Sequence, residues 1–121
     1  MIVLDTNVLI EILKGNKETI TKVQSFDETL LISSITVMEI YYGAKNKAEL
    51  KKLEQFTALF KVDHLTKDIS IKATALIKTY AKSHTLDIPD SLIAATALVS
   101  DGKIFTYNKK DFRYIDKLTL V

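Results

Sequence analysis

The chain has 121 residues, about the size of one ordinary domain, and is long enough to bury a hydrophobic core without disulfides. Hydrophobic residues make up 47% of it and charged residues 26%, a balance that excludes a disordered or fibrous chain. The formal net charge of +2 does not identify a nucleic-acid binder, and the lack of cysteine excludes disulfides and thiolate metal sites. We therefore expect one globular domain over residues 1–121.

The predicted elements alternate between strands and helices. In chain order they are strands over 1–4 and 30–33, helices over 47–60, 67–82 and from near 90 to 100, and strands over 103–107 and 117–121. This alternation predicts an α/β fold with a mainly parallel central sheet flanked by helices on both faces. The longest apolar run, over 91–99, is about half the length that crosses a bilayer, and no secretion signal is visible. We expect a cytoplasmic protein that does not enter membranes.

An aspartate ends the first predicted strand, in the sequence Asp5-Thr6-Asn7. A carboxylate in this place lies at the carboxyl edge of the sheet, where open α/β folds bind their ligands, so Asp5 is a candidate metal ligand. The alternative is a helix N-cap, for which Asp, Thr and Asn are all suited.

Glu39 is the only charged residue in the apolar segment 35–43. An ionised carboxylate in such surroundings needs a partner. Thr36 and Glu39 have the Thr-x-x-Glu spacing of a capping box, which is one way to satisfy this need. A bound cation is the other.

Two more aspartates occupy comparable places near the carboxyl terminus. Asp90 heads the most apolar helix, as an N-cap or first-turn residue, whereas Asp87 is interpreted as a loop residue before the Ile-Pro pair. Asp111 follows a strand that delivers Thr106 and Asn108 to its end, and its alternative role is a solvated loop charge or another cap. If the sheet is parallel, Asp5, Glu39, Asp90 and Asp111 converge at one edge, and four carboxylates in one pocket repel one another strongly without a cation.

These motifs together resemble the PIN-domain ribonucleases, and among them the small VapC-type toxins of bacterial and archaeal type II toxin–antitoxin systems. The resemblance spans essentially the whole chain. It rests on the order and spacing of four motifs, which are Asp5-Thr6-Asn7, Ser34-x-Thr36-x-x-Glu39, Asp90-x-x-Ile93-Ala94-Ala95 and Thr106-x-Asn108-x-x-Asp111. It implies a PIN-like three-layer sandwich. It also implies that the acidic quartet Asp5, Glu39, Asp90 and Asp111 is catalytic and binds metal, with Asn7, Thr106 and Asn108 as supporting polar positions.

The chemistry that the resemblance implies is the hydrolysis of RNA phosphodiester bonds, giving 5′-phosphate and 3′-hydroxyl products. Mg²⁺ prefers oxygen ligands, and Mn²⁺ can substitute for it. Transfer RNA or ribosomal RNA is the implied substrate, and its cleavage would inhibit translation. The implied partners are a VapB-type antitoxin and a second copy of the chain in a homodimer or a larger toxin–antitoxin assembly.

Basic residues near these motifs are candidate contacts for RNA phosphates, with ordinary solvated surface charge as the alternative. They are Lys45, Lys109, Lys110 and Arg113. Three tyrosines, Tyr41, Tyr42 and Tyr107, are candidates for base stacking or for the core. A phosphatase that uses a strand-end aspartate as nucleophile is disfavoured, because Asn7 stands where its second acid is expected. The remaining alternative is a catalytically silent PIN-like module that binds RNA or protein.

Overall fold

Helices on both faces enclose a five-stranded sheet in the computed structural model, which describes residues 1–121. The strands are β1 (Ile2–Leu4), β2 (Leu30–Ser33), β3 (Lys61–Asp63), β4 (Lys103–Phe105) and β5 (Thr119–Leu120). The α-helices are α1 (Thr6–Leu13), α2 (Lys17–Gln24), α3 (Ser34–Tyr42), α4 (Lys47–Thr57), α5 (Lys67–His84) and α6 (Ile88–Val99). A short 3₁₀ helix covers Lys109–Asp111.

The strand order is β3-β2-β1-β4-β5, and every neighbouring pair is parallel. The predicted α/β architecture is therefore confirmed, and the sheet is wholly rather than mainly parallel. The chain leaves β1 towards β2 on one side and later returns to place β4 on the other. Ligands of open α/β sheets bind outside the carboxyl ends of strands at such a switch point. The residue that follows β1 is Asp5.

The hydrophobic core has two halves, one on each face of the sheet. Along β1 the side chain of Val3 enters one half, whereas Ile2 and Leu4 enter the other, as the two-residue period of a strand requires. Helices α5 and α6 cover the first face, and α6 can lie close to the sheet because Ala94 and Ala95 are small and fully buried. This close packing brings the beginning of α6 near the strand ends.

Several predicted boundaries are wrong. The helix predicted over 47–60 ends at Thr57, and Leu59, which was assigned to its apolar stripe, is 78% exposed. The turn after it leads into β3, which the sequence did not reveal because three residues with one apolar side chain, Val62, are too short to display a period. Helix α2 was also missed, since only Thr19 and Val23 of its eight residues are buried.

The boundaries near the carboxyl terminus also differ from prediction. Helix α6 begins at Ile88, and its N-cap is Asp87, whose Oδ1 accepts a hydrogen bond from the backbone N–H of Asp90 at 2.9 Å. Asp87 is therefore not a plain loop residue, and Asp90 belongs to the first helical turn. The last strand starts two residues later than predicted because Lys117 adopts a left-handed φ of 65°. None of the helices is both long enough and apolar enough to span a membrane.

Candidate active site

Asp5 is held in a fixed position at the carboxyl end of β1. Its side chain is 4% exposed, and its Oδ1 accepts a hydrogen bond at 2.8 Å from the backbone N–H of Thr6. Its Oδ2 accepts another at 2.8 Å from Oγ1 of Thr106, the residue that follows β4. Asp5 is therefore the N-cap of α1, and a hydrogen bond fixes the orientation of each of its carboxylate oxygens. Burial raises the pKa of Asp5, although the bonds from Thr106 and Thr6 oppose this rise.

Glu39 lies on the exposed side of α3 and is tied to the end of β1 through two threonines. Thr6 Oγ1 donates a 2.8 Å hydrogen bond to Glu39 Oε1 and lies 2.9 Å from Oγ1 of the buried Thr36. The capping box considered for Thr36 and Glu39 is wrong, because Ser33 is the N-cap and accepts from the backbone N–H of Ile35. The hydroxyl of Thr6, itself paired with Thr36, is therefore the hydrogen-bond partner that was expected for the Glu39 carboxylate.

Asp90 has the most altered acidity of the candidate acids. Its pKa rises to about 7 from an ordinary value of 3.8, because burial disfavours the ionised form and neighbouring carboxylates repel it. The repelling groups are Asp87, Asp5, Asp111 and Glu39. The end of β1, the middle of α3 and the end of the 3₁₀ helix therefore bring Asp5, Glu39 and Asp111 within electrostatic reach of Asp90 in the first turn of α6.

Asp111 is half-buried at the end of the 3₁₀ helix that follows β4. Its negative charge contributes to the raised pKa values of both Asp5 and Asp90. The same acids affect Tyr114, whose pKa rises to about 12 because of burial first and the charges of Asp90 and Asp111 next. Tyr114 is thus close to these acids, a proximity that no local sequence pattern indicated.

The donor set suits a hard divalent cation. Every candidate ligand is a carboxylate, and no histidine or cysteine lies among them. No three acidic or histidine side chains converge closely enough to hold a metal ion among themselves. Mg²⁺ does not need three such ligands, since it usually binds one or two carboxylates and retains several waters. The coupled acids around Asp90 therefore fit Mg²⁺ bound partly through water.

The supporting polar residues lie directly beside these acids. Thr106 Oγ1, which donates to Asp5, also accepts a 3.0 Å hydrogen bond from the backbone N–H of Asn108. Asn7 Oδ1 accepts a long 3.4 Å bond from the backbone N–H of Tyr107. The Nδ2 of Asn7 is the one buried side-chain nitrogen or oxygen atom in the chain without a hydrogen-bond partner. An unpartnered buried donor is costly, so this nitrogen needs a hydrogen-bond partner that the protein itself does not supply.

The candidate RNA-binding residues are all exposed, and none of them is in an ion pair. Lys109 and Lys110 are in the 3₁₀ helix that ends at Asp111, Arg113 follows it, and Lys45 lies in the loop after α3.

The tyrosines considered for base stacking differ in exposure and in hydrogen bonding. Tyr41 and Thr57 share a hydrogen bond between their hydroxyl oxygens, which lie 2.9 Å apart, whereas Tyr42 is 91% exposed.

Thr6 and Thr36 are the residues of this site whose role the sequence did not reveal. The hydroxyl of Thr6 bonds to Glu39 from a different element, 33 positions away in the chain. Such a contact depends on how α1 and α3 pack, which no local pattern encodes. The Thr-x-x-Glu spacing did draw attention to Thr36, but it suggested a local capping role in place of the contact with Thr6.

The fold and the motifs agree with a known family model, that of the PIN domain, which matches residues 2–118. The chain belongs to the PIN-domain family. Its relatives within that family include Ribonuclease VapC10 of Mycobacterium tuberculosis, which is 31% identical over 122 aligned residues. The alignment covers 98% of this chain and 90% of that relative. The predicted resemblance to VapC-type PIN domains is therefore confirmed.

Solved structures of similar PIN domains have the same fold. The chain superposes on a chain of VapBC-1 from nontypeable Haemophilus influenzae with a TM-score of 0.85 at 27% identity, covering 100% of this chain and 97% of the other. A chain of a toxin–antitoxin complex from Klebsiella pneumoniae gives a TM-score of 0.83 at 28% identity, with 98% and 96% covered. Near-complete coverage on both sides means that this VapC-type chain and its structural relatives share the whole PIN fold.

Proposed function

We propose that this VapC-type PIN domain is a Mg²⁺-dependent endoribonuclease that acts as the toxin of a toxin–antitoxin pair. The observation that carries the proposal is the group of four coupled carboxylates at the switch point of the sheet, around Asp90, whose pKa rises to about 7. Coupled, partly buried acids are costly in a fold and are typical of functional sites. The similarity of this PIN domain to Ribonuclease VapC10 supports RNA cleavage as the reaction.

Four side chains are assigned to the metal and the reaction. Asp5 and Asp90 are the proposed direct ligands, while Glu39 and Asp111 act directly or through bound water. A bound Mg²⁺ would supply an activated water and neutralise charge on the scissile phosphate and the leaving oxygen, and Mn²⁺ can replace it. Thr106 orients the carboxylate of Asp5 and Thr6 that of Glu39, because each threonine hydroxyl donates a 2.8 Å hydrogen bond to its carboxylate.

Protons and cations compete for Asp90 in this proposal. With a pKa of about 7, its carboxylate holds a proton in a substantial fraction of molecules at neutral pH when no cation is bound. Carboxylate ligands bind metal in their deprotonated form, so cation binding releases that proton. We therefore expect tighter metal binding as the pH rises through 7.

RNA reaches an acidic pocket only if its phosphates find positive charge at the rim. Lys109, Lys110 and Arg113 are exposed, in no ion pair and within two positions of Asp111, and Lys45 in the loop after α3 is a further candidate. We propose that they bind phosphates on either side of the cleaved bond. Transfer RNA or ribosomal RNA is the proposed substrate, which would inhibit translation and implies a cytoplasmic site of action.

The proposed protein partners are a VapB-type antitoxin and a second copy of this chain, in a homodimer or a larger toxin–antitoxin assembly. The structural relative from Klebsiella pneumoniae is a chain of a toxin–antitoxin complex. Met38, Tyr42 and Leu59 expose 53%, 91% and 78% of their surface on α3 and the turn after α4. Exposed apolar groups that share a surface are typical of protein contacts. We propose that the antitoxin or the second copy covers these side chains.

The proposal is tested by incubating a pool of structured RNAs with purified protein in Mg²⁺, Mn²⁺ or chelator. Wild type is compared with Asp5→Asn, which preserves the shape of the cap, and with Asp27→Asn, an exposed loop control. We expect discrete cuts with 5′-phosphate ends for wild type and Asp27→Asn in either metal, and none with chelator or Asp5→Asn. RNA binding without cleavage under every condition would overturn the proposal in favour of a silent binding module.

A further inference from the structure

A polar cleft of about 460 Å³ opens beside the acidic residues, within the common size range for small-ligand sites of about 300–1,000 Å³. It is lined by Asn7, Glu11, Asn16, Tyr107 and Asn108. The lining offers one carboxylate, three side-chain amides and one aromatic ring. Donors, acceptors and a stacking surface are thus present in a single cleft, although none of the four catalytic acids lines it.

The cleft adjoins the candidate active site through three shared residues. Asn7 lies two positions after Asp5, and Tyr107 and Asn108 directly follow Thr106, which donates to Asp5. The backbone N–H of Tyr107 donates to Asn7 Oδ1, which joins the two walls. A polymer whose phosphate lies at Asp5 therefore has its neighbouring nucleotide within reach of the cleft.

Glu11 presents a fixed, ionised carboxylate on one wall. Asn16 Nδ2 donates a 3.0 Å hydrogen bond to Glu11 Oε2, and Lys14 Nζ lies 3.6 Å from Oε1. The hydrogen bond from Asn16 is the main cause that lowers the pKa of Glu11. An ionised carboxylate accepts hydrogen bonds and donates none, so its ligand must present N–H or O–H groups.

Tyr107 lines the same cleft, and its orientation is fixed. Its hydroxyl oxygen lies 2.6 Å from Oγ1 of the buried Thr19, and its ring meets Phe105 edge-on with centroids 5.3 Å apart. Even so, 46% of Tyr107 remains exposed. A rigid, partly exposed aromatic ring is a suitable surface for stacking an unpaired nucleobase.

From this arrangement we propose that the cleft is a guanine-binding subsite for the nucleotide next to the cleaved phosphate. The base stacks on Tyr107. Its N1–H and N2–H groups donate to Glu11. Guanine is favoured over the other bases because its Watson–Crick edge carries two adjacent donors that match one carboxylate. The inference rests on the proposed ribonuclease function and adds a base preference to it.

The experiment maps cleavage sites in an RNA with a randomised unpaired segment by sequencing the new 5′ ends. Wild type is compared with Glu11→Gln, Tyr107→Leu and Tyr107→Phe, and Glu18→Gln serves as a matched control because Glu18 is an exposed glutamate outside the cleft. Unchanged thermal unfolding confirms that each variant is folded. A defined substrate in which inosine replaces guanine then removes the N2 amino group alone.

We expect wild type and Glu18→Gln to prefer guanine at one position beside the cut. Glu11→Gln and Tyr107→Leu should each reduce this preference, roughly 5- to 100-fold, whereas Tyr107→Phe should keep most of it because the ring remains. Inosine should slow wild type but not Glu11→Gln. The two variants change different residues of the lining, so the failure of one to fold leaves the other as a test.

Three results would overturn the inference. Cleavage by Glu11→Gln and Tyr107→Leu with an unchanged base preference would leave the ribonuclease proposal intact and exclude the subsite. Unchanged preference together with weaker inhibition by the cognate antitoxin would assign the cleft to a peptide. The absence of any metal-dependent cleavage by wild type would instead refute the proposed function itself, and the subsite with it.

Discussion

Replacing Asp90 by asparagine should stabilise the protein when no divalent cation is present. In the folded state the pKa of Asp90 is about 7, against an ordinary value of 3.8. Between these two pH values the native state keeps a proton on Asp90 that the unfolded state has lost. The free energy of unfolding therefore falls as the pH rises from about 4 to about 7, and it stays low above pH 7. Asparagine keeps the shape of the side chain and removes the charge that causes this loss.

The size of the effect follows from the same shift. Three pKa units correspond to about 4 kcal/mol at about 1.4 kcal/mol each, which is an upper bound. Asp90 is only half-buried, so screening by solvent reduces this to about 2 kcal/mol. Loss of the favourable interaction between a carboxylate and the first turn of α6 subtracts up to about 1 kcal/mol. We expect Asp90→Asn to gain about 1–2 kcal/mol at pH 8.

Urea unfolding in chelator, at pH 4 and at pH 8, measures this gain. Asp27→Asn is the control, because Asp27 is exposed in a loop, and we expect it to change stability by less than about 0.5 kcal/mol. Saturating Mg²⁺ should then stabilise wild type, by about 2.7 kcal/mol at 100 times its Kd, but not Asp90→Asn. If Asp90→Asn is no more stable than the control at pH 8, the acids do not repel one another as described and the reasoning is refuted.

Three other variants test separate parts of the structure. Thr6→Val removes the donor to Glu39 and should weaken Mn²⁺ binding, measured by electron paramagnetic resonance, about 10-fold, whereas Thr6→Ser retains it; equal affinities in the two variants would contradict the positioning role. Asp87→Ala should unfold about 1 kcal/mol more readily in urea than Asp87→Asn, which still caps α6, and equal stabilities would refute the cap. Phe112→Ala should cost about 3–5 kcal/mol in urea unfolding, because Phe112 is fully buried, and a loss below about 1 kcal/mol would contradict its place in the core.

The fold was predictable where hydrophobic period and length were sufficient. The stripe of α5 and the strands β1 and β2 were all found from the sequence, because each buries a regular apolar face. Strand β3 and helix α2 were not found, since one is three residues long and the other buries only two side chains. Their formation depends on pairing and packing with distant parts of the chain.

The candidate site was predictable in its residue types but not in its connections. A strand-end Asp5 and a first-turn Asp90 can be read from local sequence, because both follow recognisable element boundaries. The bonds from Thr106 to Asp5 and from Thr6 to Glu39 cannot be read in this way, since they join residues 101 and 33 positions apart. The same holds for the cleft between Glu11 and Tyr107, whose two walls meet only in the folded chain.

The central claim is that the coupled acids at the end of β1 form one divalent-cation site. Titration of the protein with Mn²⁺ at pH 7.5, followed by electron paramagnetic resonance, tests it without requiring the RNA substrate. We predict saturable binding by wild type and Asp27→Asn, displacement by Mg²⁺, and loss of binding in Asp5→Asn and Asp90→Asn. Equal binding by all four proteins, or binding by none, would contradict the claim and leave the carboxylates as helix caps and surface charges.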